Sequence, residues 1–220
     1  MPRFVPWTAY QRLPAAEMIE RSRDYLQKMS GRRTVRQFSP EPVPREVIEA
    51  CLATAGTAVS GANMQPWRFV AVQDPGVRQA IRERAEAEEQ AFYSNRAPRA
   101  WLDALAPLGT DAEKSFLTTA PWVIAIFQAR FGVLADGRKV KHYYAPESVG
   151  IATGLLISAL HHAGLASLTH TPSPMGFLRE ILGRPRNERP FLLLVTGYPM
   201  AGATVPDIKR KAFEEFVTFM

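Results

Sequence analysis

The sequence predicts a single α+β (α/β) domain, a central sheet of about four strands flanked by helices. Three observations carry that reading. Short β-rich runs, among them Arg68–Val72, Pro121–Phe127, Ala166–His170 and Pro190–Val195, alternate with segments of helical period. One such segment, Gly150 to Ala163, is apolar nearly all round, the pattern of a helix buried in the middle of a domain. The 220 residues, 46% hydrophobic and 22% charged, suffice for one sizeable core, and no internal repeat or low-complexity stretch interrupts them.

Each element follows from local signals. Ala15, Met18, Ile19, Tyr25 and Leu26 recur near helical spacing over residues 14–29, and Gly31 stops that helix just before Arg32-Arg33-Thr34-Val35-Arg36. After Ser39-Pro40-Glu41-Pro42, Pro44 opens a second helix whose stripe Val47, Ile48, Cys51, Leu52 and Ala55 ends at Gly56. Cys51 reads there as a packed small hydrophobe, since a reactive thiol needs an exposed, electropositive setting. Thr57 to Trp67 is a polar, glycine-containing turn able to expose backbone amides, and it leads into the strand at Arg68. Asp74-Pro75 caps a long helix that is densely charged from Arg82 to Asn95 and has little to bury. Residues 97–115, with Pro98, Pro107, Gly109 and a helix start at Asp111, form an irregular excursion of the kind that makes lids. Gly164 stops the buried helix, Thr171-Pro172-Ser173-Pro174 follows the next strand, and a further helix ends at Gly183. Beyond the last strand, Phe213, Phe216, Val217 and Phe219 are apolar residues suited to docking on a partner subunit.

Composition excludes several classes. The net charge of +6 sits in three short clusters, Arg32-Arg33 with Arg36, Arg138-Lys139-Lys141 and Lys209-Arg210-Lys211, without the long basic face a nucleic acid needs. Small anionic ligands fit better. The run Ser148 to Leu160 falls short of the ~20 apolar residues of a bilayer span, and the N-terminus lacks a secretory signal, so a cytoplasmic protein is expected. One cysteine excludes an internal disulfide, so redox chemistry would need a borrowed cofactor. No GxGxxG, Walker-type or Gly-x-Ser-x-Gly motif occurs. His161-His162 lie within the buried helix pattern with no spaced partner, and no metal site is expected. Glu86, Glu88 and Glu89, taken alone, read as a solvated helix face.

Arg32-Arg33-x-x-Arg36 gathers guanidinium forks at a helix end, a geometry that suits a phosphate. Ser60-Gly61-Ala62 then precedes Gln65-Pro66-Trp67 and a strand, Thr171-Pro172 follows a later strand, and Pro206-Asp207-Ile208-Lys209-Arg210-Lys211 lies near the C-terminus. In that order the chain resembles the flavin-dependent nitroreductase superfamily over residues 30–215. Thr119-Ala120-Pro121, His142-Tyr143-Tyr144, Ser167 through Pro172 and Leu182-Gly183-Arg184-Pro185 resemble, within it, the iodotyrosine deiodinase family. The resemblance implies a nitroreductase-like fold over residues 1–220, with a mixed four- to five-stranded sheet and FMN as cofactor. It further implies a domain-swapped homodimer, a lid at about 85–116 and a tail at about 202–220 that docks on the partner.

The resemblance also implies residue roles. Arg32, Arg33, Thr34, Arg36 and Arg210 would bind the flavin or its phosphate, with Ser60 reaching it across the dimer and Gly61 also among the cofactor-binding residues. Thr169, His170 and Thr171 would line the flavin, the Thr171 hydroxyl bonding its N5. Glu89, Tyr93 and Lys114 match the three side chains that grip an amino acid substrate, and the Ala62 amide resembles the donor to the substrate's phenolate. Val59, Asn63-Met64-Gln65, Ala145-Pro146 and Ser173-Pro174-Met175 depart from the animal members, whose N-terminal membrane anchor is not expected here.

Physics supports the substrate triad. Glu89 and Tyr93 are four apart on a predicted helix and share a face, and Lys114 can return to them from the next segment. A free amino acid is a zwitterion: its ammonium suits Glu89, its carboxylate Lys114 and Tyr93, and a closing lid removes competing water. The expected function is reductive dehalogenation of halotyrosines by single-electron steps, with electrons from NAD(P)H or a flavodoxin- or ferredoxin-like protein. A general NAD(P)H-dependent nitro- or quinone reductase, and a flavin-binding sensor without turnover, are the alternatives.

Overall fold

The structure is a computed structural model that describes residues 2–220, and the chain divides between Arg32 and Arg33 into two units. The first contains α1 (Ala15–Ser30), closed by Gly31, whose N–H donates to Lys28 O at 3.2 Å. None of the α1 residues is buried: Met18, Ile19, Tyr25 and Leu26 are 50–65% exposed.

In chain order the second unit holds α2 (Arg45–Gly56), β1 (Trp67–Val72), α3 (Pro75–Ala91), α4 (Arg99–Leu105), α5 (Phe116–Thr119) and β2 (Trp122–Ala129). The hairpin β3 (Phe131–Val133) and β4 (Lys139–Lys141) follows, then α6 (Ala145–His162), β5 (Ala166–His170), α7 (Phe177–Ile181) and β6 (Glu188–Gly197). The sheet runs β1-β2-β6-β5, every neighbouring pair antiparallel. Its mixed character rests on a single parallel bridge, Thr34 to Ser167, at the β5 edge.

Side chains alternate across a strand, so β2 feeds two cores. Val123, Ala125 and Phe127 pack with Ile81 and Ala85 of α3, Leu117 of α5 and Leu178 of α7. Ile124 and Ile126 face Ile48 and Cys51 of α2 and Val149, Leu156 and Leu160 of α6. Both faces of the sheet are thus covered, which explains why β2 reads as an unbroken apolar run. Cys51 is core, and its burial pushes the thiol pKa up. Gly197 is a close approach: a Cβ there would lie 2.5 Å from Pro121 Cδ.

Several boundaries differ from the sequence reading. α3 buries Ile81 and Ala85 completely despite its charge, then continues into a π-helical turn, Phe92–Arg96. No helix starts at Asp111; its carboxylate accepts the Glu113 N–H at 3.0 Å in a local turn, and α5 begins at Phe116. α6 begins at Ala145 rather than Gly150, with Pro146 tolerated in its first turn and Ser148 donating to Tyr144 O at 2.7 Å. The β3–β4 hairpin was not expected, because three-residue strands carrying Gly132, Lys139 and Lys141 show no apolar alternation. Among the described residues no helix is long and apolar enough to cross a membrane.

Candidate active site

The charged end of α3 and the loop leaving β5 enclose a cavity of about 220 Å³. Glu89, Tyr93 and Lys114 line one side of it, Thr169, His170 and Thr171 another, and Arg36 a third. Seven residues singled out from the sequence therefore meet in one place.

Lys114 is 2% exposed, and its ammonium stands 3.2 Å from Glu89 Oε2. The Nζ also donates to Asp111 O and lies 5.7 Å from the Tyr93 ring centroid, while the Tyr93 hydroxyl reaches Thr110 Oγ1 at 3.5 Å. Placement of the lysine is fixed from α3: Glu86 accepts the Lys114 backbone N–H at 2.7 Å and pairs with Arg82 at 2.8 Å, and Arg82 bonds Thr118 Oγ1 at 3.1 Å. The glutamates of α3 are consequently not a uniform solvated face. Glu86 anchors the returning segment, Glu89 enters the cavity, and Glu88 pairs with Arg96 at 2.9 Å. The signal for Glu86 was its i, i+3 spacing from Glu89.

His170 is 8% exposed, and its Nε2 is buried without a hydrogen-bond partner among the described residues. Burial foremost, then the positive charges of Lys114 and Arg36, hold its pKa at about 3, so the imidazole is neutral at physiological pH. Phe116 meets the ring edge-on at 5.6 Å. Sequence reasoning missed Phe116, Trp101 and Thr110 as cavity residues, since a lone aromatic or threonine in an irregular excursion carries no local signal.

Arg36 also lines a second hollow of about 320 Å³, bounded by Thr34 and Gln37, by residues 107–109 and by residues 204–206. Gln37 Oε1 accepts the Thr204 N–H at 2.7 Å, and Arg33 donates to Pro206 O, so the C-terminal segment is fastened across the hollow. Arg210 lies four residues beyond Pro206 and lines neither cavity. Arg32 falls in the first unit, where its N–H donates to Met29 O at 3.2 Å.

Ser60, Gly61 and Ala62 are not brought into either cavity. They form a short turn against the start of α6, where Gly61 N–H donates to Ser148 Oγ at 3.3 Å and a Cβ on Gly61 would meet Tyr143 O at 2.8 Å. Ala62, Asn63 and Gln65 adopt φ of 49°, 54° and 46°. Left-handed backbone at three non-glycine residues costs of order 1–3 kcal/mol each and concentrates at functional sites.

A two-core antiparallel sheet whose β5 exit loop abuts a charged, lid-like excursion defines a class, and the sequence agrees: the Nitroreductase family matches residues 29–198, and the chain belongs to it. The chain is 53% identical over 210 residues to the iodotyrosine deiodinase of Haliscomenobacter hydrossis, covering 96% of this chain and 94% of that protein. It is 45% identical over 210 residues to iodotyrosine deiodinase 1 of Rattus norvegicus, covering 95% and 74%. Among solved structures, oxidized iodotyrosine deiodinase bound to FMN and 3-iodo-L-tyrosine superposes with a TM-score of 0.75 at 30% identity, over 89% of this chain and 100% of that one.

Proposed function

We propose that this chain is an FMN-dependent oxidoreductase that removes halide reductively from halotyrosines, acting as a homodimer. One observation carries the reading: a buried Lys114–Glu89 pair at 3.2 Å shares its cavity with Tyr93 and Thr171. The similarity to iodotyrosine deiodinases, one of them solved with FMN and 3-iodo-L-tyrosine, supports it.

The residues present suit FMN. Thr34 and Arg36, with Arg33 close by in the same segment, offer hydroxyl and guanidinium donors for a phosphate, and Arg36 joins that hollow to the inner cavity. The buried, unpartnered His170 Nε2 and the Thr171 hydroxyl offer polar contacts for a ring system with several heteroatoms. When bound, FMN supplies two electrons that can leave one at a time.

The chain's own residues then hold and orient the substrate. An amino acid zwitterion entering between Glu89 and Lys114 exchanges one buried ion pair for two and leaves the cavity's net charge unchanged, so no lone charge is stranded. Glu89 takes the ammonium, while Lys114 and Tyr93 take the carboxylate. Glu86 and Arg82 keep the Lys114 backbone in place, and Trp101 and Phe92 line the same cavity with aromatic surface. With FMN bound, the Thr171 hydroxyl would donate to its ring system, the contact that single-electron delivery calls for. The Ala62 amide, set in a left-handed turn, serves the phenolate oxygen of a substrate held mainly by the second copy. The apolar residues exposed on α1 and the tail residues Phe213, Phe216 and Phe219, 53–85% exposed, support such a second copy.

Titrating the fluorescence of the oxidised, FMN-loaded protein with 3-iodo-L-tyrosine tests this. Tight quenching is expected, and Glu89→Gln or Lys114→Ala should weaken it while FMN remains bound. Quenching unchanged in both variants would eliminate the proposed substrate grip.

A further inference from the structure

A third hollow, about 640 Å³, shares Trp101, Thr171 and Ser173 with the substrate cavity. Arg130 after β2, Arg179 on α7, Arg186 in the turn before β6 and Arg189 on β6 all line it. None of these four guanidiniums has an ion-pair partner among the described residues, and Arg130, Arg186 and Arg189 are exposed. The lining contains one acid, Glu188, which is buried and gripped by Arg184 through two bonds of 2.7 and 2.8 Å. It is spent inside the protein and neutralises nothing in the hollow. The β3–β4 hairpin begins one residue past Arg130 and continues the same sign with Lys139 and Lys141, while its Asp136 is already paired with Arg138 at 2.7 Å.

Like charges gathered from four segments repel one another, so a surface that keeps them uncompensated is matched to an anionic partner. We propose that this arginine face is the docking surface for an acidic one-electron carrier protein, which passes electrons to the flavin past Thr171. The inference rests on the FMN reading above and extends it to the electron donor. Exposure argues for a protein rather than a small phosphate, because a small anion is retained by buried, enclosing donors, whereas three of these arginines stand in solvent. A broad field of one sign accelerates encounter without long residence, which suits a carrier that must leave after each delivery. The balance is closed: two reduced carriers each lose one electron, one proton comes from water, the carbon–halogen bond breaks, a carbon–hydrogen bond forms, and halide departs.

The FMN-loaded protein, mixed anaerobically with reduced plant-type [2Fe–2S] ferredoxin as the acidic probe, reports flavin bleaching in a stopped-flow instrument. At low salt the Arg186→Glu/Arg189→Glu variant should bleach about tenfold more slowly than the parent or worse. High salt should erase most of that difference. At high salt, where surface charge is screened, reduction by dithionite and quenching by iodotyrosine should be the same in both proteins, which separates this proposal from the substrate reading. Side-chain footprinting with hydroxyl radicals gives an independent readout: oxidised ferredoxin should protect residues 186–191 in the parent and not in the variant. Equal, salt-independent bleaching rates overturn the proposal, as does absence of protection. Protection by NADPH instead of ferredoxin would assign the hollow to a small nucleotide and overturn it equally, as would residues 186–191 already protected in the protein alone by a second copy.

Discussion

Lowering the pH from 7 to 4 should cost this protein stability through one side chain, His170. Burial, reinforced by Lys114 and Arg36, holds its folded pKa at about 3, against 6.5 for the unfolded chain. Between those values the unfolded state binds a proton that the folded state refuses. The stability at stake is therefore fully present above pH 6.5 and drains away as the pH falls toward 3. At about 1.4 kcal/mol for each pH unit below 6.5, the loss at pH 4 is about 3 kcal/mol. Chemical denaturation of cofactor-free protein at pH 7, 6, 5 and 4, for the parent and for His170→Gln, isolates the effect, since other groups titrate alike in both. The stability difference between the two should shift by about 3 kcal/mol in favour of the glutamine variant on acidification. Parallel curves, agreeing to within about 0.5 kcal/mol at every pH, would refute the burial argument.

Three further outcomes are expected. Glu89→Gln should weaken 3-iodo-L-tyrosine binding about 10–100-fold by calorimetry, the loss of one charge-assisted bond worth ~1.5–3 kcal/mol, while leaving iodophenol binding unchanged. Arg36→Ala, which opens the wall common to the two cavities, should lower FMN affinity at least tenfold in equilibrium dialysis, and its salt dependence should flatten. Gly197→Ala should destabilise the fold by ~1–3 kcal/mol in urea titration, because its new methyl meets Pro121 Cδ at 2.5 Å and neither β6 nor the proline ring can easily yield.

The sheet was legible because β-branched runs and an all-round apolar helix have few alternative readings. Val123, Ile124 and Ile126 could only be buried, and the structure buries each of them completely. The hairpin at Phe131–Lys141 was not legible, since three-residue strands held by turn bonds such as Leu134 N–H to Arg138 O, at 2.9 Å, leave no periodic trace. At the site, the spacing of Glu89 and Tyr93 showed a shared helix face, but the return of Lys114 depends on Glu86 catching a backbone N–H, a tertiary bond that no pattern encodes. The π-helical turn that carries Tyr93 was invisible for the same reason: its backbone path is set by packing around Phe92 and Trp101, whose rings meet edge-on at 5.2 Å. The arginine face was overlooked because Arg130, Arg179, Arg186 and Arg189 are scattered along the chain and meet only when β2, α7 and β6 are assembled.

The proposed reduction of a zwitterionic halotyrosine in this cavity, with electrons from FMN, is open to a direct test. Protein reduced anaerobically with one equivalent of dithionite and then mixed with 3-iodo-L-tyrosine tests it in a single turnover. One iodide and one tyrosine per FMN are expected, with full return of the oxidised flavin spectrum, and a far slower return with iodophenol, which lacks the ammonium and carboxylate proposed to meet Glu89 and Lys114. A flavin that stays reduced, or that reoxidises equally fast with iodophenol, would contradict it.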